Sequence, residues 1–199
     1  MPSFDFEKEL YSQGYKYVCG IDEAGRGPLS GPVVAAACVL PIDIDIPELN
    51  DSKKLTEKKR EKLFDVIKEK AFSFGIGMAS PEEIDEMNIL NATMLAMHRA
   101  LEQLSPAADF ALIDGNVSRG FDIPTKTVIK GDSLSSSIAA ASILAKVTRD
   151  RICLEDALKY PEYNFAKHKG YSTKEHMEAV LKYGPCPIHR KSFLKFAKK

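Results

Sequence analysis

The sequence predicts a mixed five-stranded α/β sheet flanked by helices, with a helical appendage at its C-terminus. Three observations predict it. Three strand-length apolar runs come early, with links short enough for antiparallel pairing. After residue 80 strands alternate with helices long enough for parallel crossovers. Beyond residue 160 the pattern is helical only.

Phe4–Gln13 has helical spacing around Phe6 and Leu10, and Gly14 suits its C-terminal cap. Tyr17–Asp22 reads as a buried strand. After a Gly/Pro-rich turn, Val33–Leu40 is a second apolar run of strand length. Pro41–Asn50 is a loop rich in Pro and Asp. Thr56–Lys70 is a charged amphipathic helix with Leu63, Phe64 and Ile67 inward. Ala71–Ala79 alternates as a third strand, with Phe72, Phe74, Ile76 and Met78 on one face. Ser80-Pro81-Glu82-Glu83 is a capping box with Pro in the first helical position, opening a helix that runs to Leu104 in two pieces around Asn88. Phe110–Asp114 and Thr125–Ile129 complete the strands, and Ser133–Leu158 is a long helix. Two helices follow, Thr173–Tyr183 and Ile188–Lys198, with Ser172 and Glu175 fitting a second capping box.

The chain has 199 residues, 44% of them hydrophobic, enough to bury a full core. Lys plus Arg and Asp plus Glu are 28 each. That neutrality argues against coating nucleic acid by bulk charge, while allowing a local basic face beside a local acidic site. Cys19, Cys38, Cys153 and Cys186 form no C-x-x-C pair and read as reduced thiols, not as a disulfide framework or structural zinc. The N-terminus is not a signal peptide, and the longest small-apolar stretch, Ile138–Ala145, is too short to span a bilayer. A cytoplasmic protein with no membrane partner is expected.

Acids stand where apolar structure stops: Asp22 and Glu23 end the first strand, Asp114 the fourth, and Asp132 precedes the long helix. Adjacent carboxylates at a buried strand end are costly unless compensated. Hard cations such as Mg2+ take oxygen ligands, and a carboxylate cluster holds two of them about 4 Å apart for phosphodiester hydrolysis. Taken singly, Asp114 before Gly115 also reads as a turn residue, Asp132 as a helix cap and Glu23 as a solvated acid.

Gly20–Gly27 has the spacing of a P-loop, but Arg26-Gly27 stands where Lys-Ser/Thr belongs, and its internal acids would repel a nucleoside triphosphate. Gly25 and Gly27 allow close backbone approach to a ligand, and Arg26 can donate to a phosphate or sugar oxygen; a tight turn with a surface Arg is the alternative. Asp51-Ser52-Lys53-Lys54 offers a cationic patch. Lys58, Lys59 and Arg60 read as a solvated helix face. The tail is basic, and Tyr171 within it reads as a stacking residue or a core tyrosine. His98 reads as structural, and none of His98, His168, His176 and His189 is assigned to a metal.

Several long segments, in order, carry a resemblance to bacterial ribonuclease HII over nearly the whole chain: Gly20–Leu29, Asn50–Leu55, Leu112–Asn116, Lys130–Ser133, Ile138–Asp150, His168–His176 and Gly184–Phe193. The resemblance implies an RNase H-like catalytic domain at 1–160 and a C-terminal helical segment at 161–199 that contributes to substrate binding. It implies that Asp22, Glu23, Asp114 and Asp132 are the catalytic and metal-binding residues, with Mg2+ or Mn2+ as cofactor. It implies hydrolysis of the RNA strand of RNA–DNA hybrids, and cleavage 5′ of ribonucleotides embedded in duplex DNA, leaving 3′-hydroxyl and 5′-phosphate ends. Gly25-Arg26-Gly27 would read the 2′-hydroxyl, the group that separates RNA from DNA, and Tyr171 the RNA–DNA junction. Ser52, Lys53 and Lys54 would add backbone contacts, and a monomer is expected. The sister ribonuclease HIII usually has an extra N-terminal domain, for which a motif beginning at residue 20 leaves no room. A small-molecule phosphoesterase would not need the basic tail or Tyr171, and a non-catalytic binding module would not need the acids.

Overall fold

The computed structural model describes residues 1–197. Its strands are β1 (Val18–Ala24), β2 (Val33–Val39), β3 (Ser73–Ala79), β4 (Phe110–Asp114) and β5 (Thr125–Val128). They form one sheet in the order β3-β2-β1-β4-β5, antiparallel across β3-β2-β1 and parallel across β1-β4-β5. The helices are α1 (Asp5–Ser12), α2 (Glu57–Lys70), α3 (Pro81–Leu101), α4 (Ser136–Lys159), α5 (Phe165–His168) and α6 (Lys174–Tyr183). On one side α3 packs against Cys19, Ile21, Val33, Ala35 and Ala37; on the other, α2 and α4 pack against Val34, Ala36 and Cys38. The central strands are therefore buried on both faces and read as continuous small-apolar runs.

Local signals set several boundaries. Ser80 and Glu83 close the capping box at the start of α3. Asn88 leaves the helical region at φ 70°, and its side chain accepts from the N–H groups of Leu90 and Asn91, restarting the helix as a cap would. Gly14, at φ +100°, follows Gln13, the residue that caps the C-terminus of α1.

Four expectations need correction. Phe72 falls before β3, so only Phe74, Ile76 and Met78 share the strand's face, and the fully buried face is the opposite one, Ser73, Gly75, Gly77 and Ala79. A Cβ on Gly75 or Gly77 would lie 2.1 Å or 2.2 Å from the carbonyl oxygens of Ala100 and Ala96, so the glycines let α3 rest on the strand backbone. The cap of α6 is Thr173, which accepts from the His176 N–H; Glu175 instead meets Asn164 and Lys167. The helix expected at Ile188–Lys198 is two 3-10 turns, Lys191–Phe193 and Lys195–Ala197, with Lys198 outside the described residues. Arg60 is not part of a solvated face: it donates to the carbonyls of Ser52 and Leu55 and stands 3.7 Å from Asp150.

The segment beyond residue 160 has an apolar cluster of its own, in which Tyr163, Phe165, Ala179, Val180 and Leu194 close over Leu29 from the turn between β1 and β2. All four cysteines are free. No helix among the described residues is long and apolar enough to cross a membrane.

Candidate active site

Pairing between β1 and β4 ends at Ile21–Ile113, whereas β1 stays paired with β2 as far as Ala24. The carboxyl ends of the parallel strands thus open a crevice on one edge of β1, the position where open α/β sheets bind ligands. Asp22 and Asp114 are the next residues into that crevice. Asp132 arrives from the 3-10 turn Gly131–Ser133, entered through Lys130 in the left-handed region at φ 58°. It does not cap α4; Ser135 does, accepting from the Ile138 N–H. Buried Glu7 of α1 accepts from the Ser135 hydroxyl and the Ser137 N–H, tying the start of α4 in place. Asp114 Oδ1 accepts from the Gly131 N–H at 2.6 Å, which fixes the Asp132 turn against β4.

Asp22, Asp114 and Asp132 each offer a carboxylate oxygen within 4.8 Å of the others. Asp22 and Asp132 are each only 4% exposed. Burial, then the charges of Glu23 and Asp114, hold the Asp22 carboxyl well above the usual carboxylate range. Burial, then Asp114 and Asp51, raises Asp132. Three acids so placed face one ammonium, Lys53, and their oxygen-only donor set suits a hard divalent cation. Glu23 follows Asp22 and lines the same cavity, but it lies outside the cluster of three. Its carboxylate stands 3.3 Å from Arg26 Nη1, and burial raises its pKa against the pull of that guanidinium.

A cavity of about 120 Å³ adjoins Asp22 and Glu23 and is lined also by Gly25, Ser52, Lys53, Lys146, Arg149 and Tyr171. Tyr171 is half-exposed, and a Cβ on Gly27 would lie 3.6 Å from its ring. Lys53 Nζ stands 3.5 Å from Asp132; burial pulls this ammonium down, and Asp132, Asp22 and Asp51 outweigh that and raise it. Lys54 reaches the Ser133 hydroxyl and Asp51 instead. The structure therefore gathers Gly25, Arg26, Gly27, Ser52, Lys53 and Tyr171 around the acids and leaves Lys54 at the margin.

Sequence reasoning passed over four residues here. Asp51 is buried, caps the Ser52–Lys54 turn through the Lys53 N–H, and its charge helps to raise Asp132. Ser142 meets the Ser52 hydroxyl at 2.9 Å and lines the cavity with Asp22. Lys146 pairs with Asp150, and Arg149 lies beneath Gly25, where a Cβ would come within 2.1 Å of its Nε. On α4 these three recur at helical spacing, a signal that a single sequence cannot separate from core packing.

Comparison with known proteins agrees with this geometry. The family model described as Ribonuclease HII matches residues 19–196. The chain is 60% identical to a Ribonuclease HII of Acetivibrio thermocellus over 96% of its own length and 74% of the relative's. It is equally similar, with the same coverage, to one of Clostridioides difficile. The crystal structure of ribonuclease H2 from Pyrococcus horikoshii OT3 superposes with a TM-score of 0.75 at 30% identity, covering 92% of this chain and 95% of that one. The fold is RNase H-like, and a match of this length and identity leaves one assignment: the chain belongs to the ribonuclease HII family.

Proposed function

We propose that Asp22, Glu23, Asp114 and Asp132 bind the divalent metal and carry the reaction of this family member, an endonuclease on the RNA strand of RNA–DNA hybrids. The carrying observation is the convergence of three carboxylates from β1, β4 and the Gly131–Ser133 turn, beside a glycine turn and an exposed tyrosine. Metal ions bound here, Mg2+ or Mn2+, would supply an activated water and neutralise phosphate charge.

The chain's own residues do the rest. Asp22 and Asp132, held rigid by burial and by hydrogen bonds from the Glu23 N–H and the Ser133 hydroxyl, fix the ligand set before substrate arrives. Gly25-Arg26-Gly27 brings main-chain donors to the ribose, and the 2′-hydroxyl is what distinguishes a ribonucleotide there. Tyr171 offers its ring to the sugar at an RNA–DNA junction, and Lys53 balances the phosphate beside Asp132. This reading extends the activity to single ribonucleotides in duplex DNA, cut on their 5′ side to leave 3′-hydroxyl and 5′-phosphate ends, by a monomer. Residues 1–160 then form the catalytic unit and 161–199 a C-terminal segment that supplies Tyr171.

The test is cleavage of a duplex carrying one ribonucleotide, with Mg2+, Mn2+ or chelator and the ends mapped. Metal-dependent cleavage 5′ of the ribonucleotide is expected. Cleavage unaffected by chelator, or ends bearing a 3′-phosphate, would overturn it.

A further inference from the structure

Arg190 is fully buried, yet none of its hydrogen-bond partners is a carboxylate. Its guanidinium is satisfied by main-chain carbonyls of the turn between β1 and β2. Nη2 donates to Gly25 O at 2.6 Å, Nη1 to Arg26 O at 3.0 Å and Pro28 O at 2.8 Å, and Nε to Gly31 O at 2.9 Å. A planar fork with fixed donors imposes directions on its acceptors that a flexible ammonium cannot.

Those directions have a chemical result. In a trans peptide the carbonyl and the following N–H point opposite ways. Turning the carbonyls of Gly25 and Arg26 inward to Arg190 therefore turns the N–H groups of Arg26 and Gly27 away from it. Neither N–H has a hydrogen-bond partner among the described residues. They are two oriented donors available to a ligand oxygen, beside the cavity that Gly25 and Tyr171 line. The Leu29 N–H, by contrast, is spent on Gly170 O, one residue before Tyr171.

The neighbouring residue ties down the other half of the surface. His189 bridges to Ser30 through its backbone, and its Nε2 lies 2.9 Å from His176 Nε2. His176 Nδ1 in turn lies 2.9 Å from the carbonyl of Tyr171. One proton on each ring satisfies the whole chain: His176 donates to Tyr171 O, His189 donates to His176, and the Cys186 N–H donates to His189 Nδ1.

We propose that Arg190 is a positioning residue for ribose recognition: its fork aims the Arg26 and Gly27 N–H groups at the ribonucleotide, and His189 beside it holds Tyr171 in register with them. This rests on the reading of Gly25–Gly27 and Tyr171 as the ribonucleotide-binding surface. The role belongs to binding of the sugar and not to the carboxylates, which Arg190 does not touch.

The experiment compares parent and Arg190→Lys by fluorescence anisotropy in Ca2+, with an all-DNA duplex and the same duplex carrying one ribonucleotide, alongside Mn2+ titration. The expected result is at least a tenfold loss of the preference for the ribonucleotide duplex. Affinity for all-DNA duplex and for Mn2+ should stay within twofold, and kcat/KM should fall mainly through KM. A folded variant that keeps its preference within twofold overturns the proposal, as does one that loses preference and Mn2+ affinity together. If Arg190→Lys does not fold, amide exchange in the parent decides. Protection of Arg26 and Gly27 by the ribonucleotide duplex but not by all-DNA duplex supports it, and equal or absent protection overturns it. A parent with no preference and no cleavage would instead sink the underlying functional reading, so the two failures are distinguishable.

Discussion

Replacing Asp22 with Asn should make the metal-free protein more stable while abolishing its activity. Asp22 is 4% exposed and its carboxyl is held above the usual range by burial, Glu23 and Asp114. The sign follows from linkage. Above an unfolded-state value of about 3.9 the unfolded chain releases this proton and the folded chain retains it. Stability therefore falls as pH rises from that value toward the folded one, and the deficit persists at neutral pH. Unit charges at the observed limit of 4.8 Å repel by ~3–4 kcal/mol at an effective dielectric of 20. Retention of a proton caps the cost below that figure, and the neutral amide removes it. Asn Oδ1 can still accept from the Glu23 N–H, now at 2.7 Å. In a chain of this length each kcal/mol recovered corresponds to a Tm rise of ~2–4 °C. The assay is thermal unfolding at pH 7.5 in chelator and in Mn2+. Metal-free Asp22→Asn should melt above the parent, and Mn2+ should raise the parent alone. A variant that melts at or below the parent in chelator, or a Mn2+ shift equal in both, would refute the reasoning.

Asp132→Asn should lower cleavage by about two orders of magnitude or more while hybrid affinity changes little, as the proposed metal-ligand role requires; comparable losses in the cleavage and binding assays would count against that role. Tyr171→Ala should slow cleavage of a single embedded ribonucleotide more than that of a long hybrid, read as a ratio of kcat/KM values, and an unchanged ratio removes the junction role. Gly77→Ala drives a methyl against the backbone of α3 and should cost ~3 kcal/mol, or ~6–12 °C in Tm, with the chemistry at saturating substrate preserved; a Tm within ~2 °C of the parent would show that α3 can retreat. His189 is pulled down to about 4 by burial and then by His176. Its folded value lies below the unfolded one, so this stability is whole above pH ~6.5 and is lost as pH falls toward 4. Urea midpoints measured across that window should fall less steeply in His189→Gln than in the parent.

What could be read from the chain alone was whatever its near neighbours encode. Ser80 finds its partner Glu83 three residues on, Asn88 restarts its own helix, and the apolar run that ends at Asp114 is local to five residues. Such signals depend on the helical and extended repeats themselves, so the succession of elements along the chain, the helix break at Asn88 and the ends where acids stand were legible. The long motifs added the family. The packing between elements was not legible. Nothing near Gly75 and Gly77 says that α3 will press on them and leave Phe74 and Met78 on the more open face. Nothing near Asp51 says that its charge will act on Asp132, far along the chain. Arg190 stands 159 to 165 residues from the carbonyls it holds, and His189 thirteen from the ring it meets. A cap or an alternation is chosen by one stretch of backbone. The filling of a buried hole or the pairing of a buried charge is chosen by every element that encloses it, and only the folded chain brings those elements together.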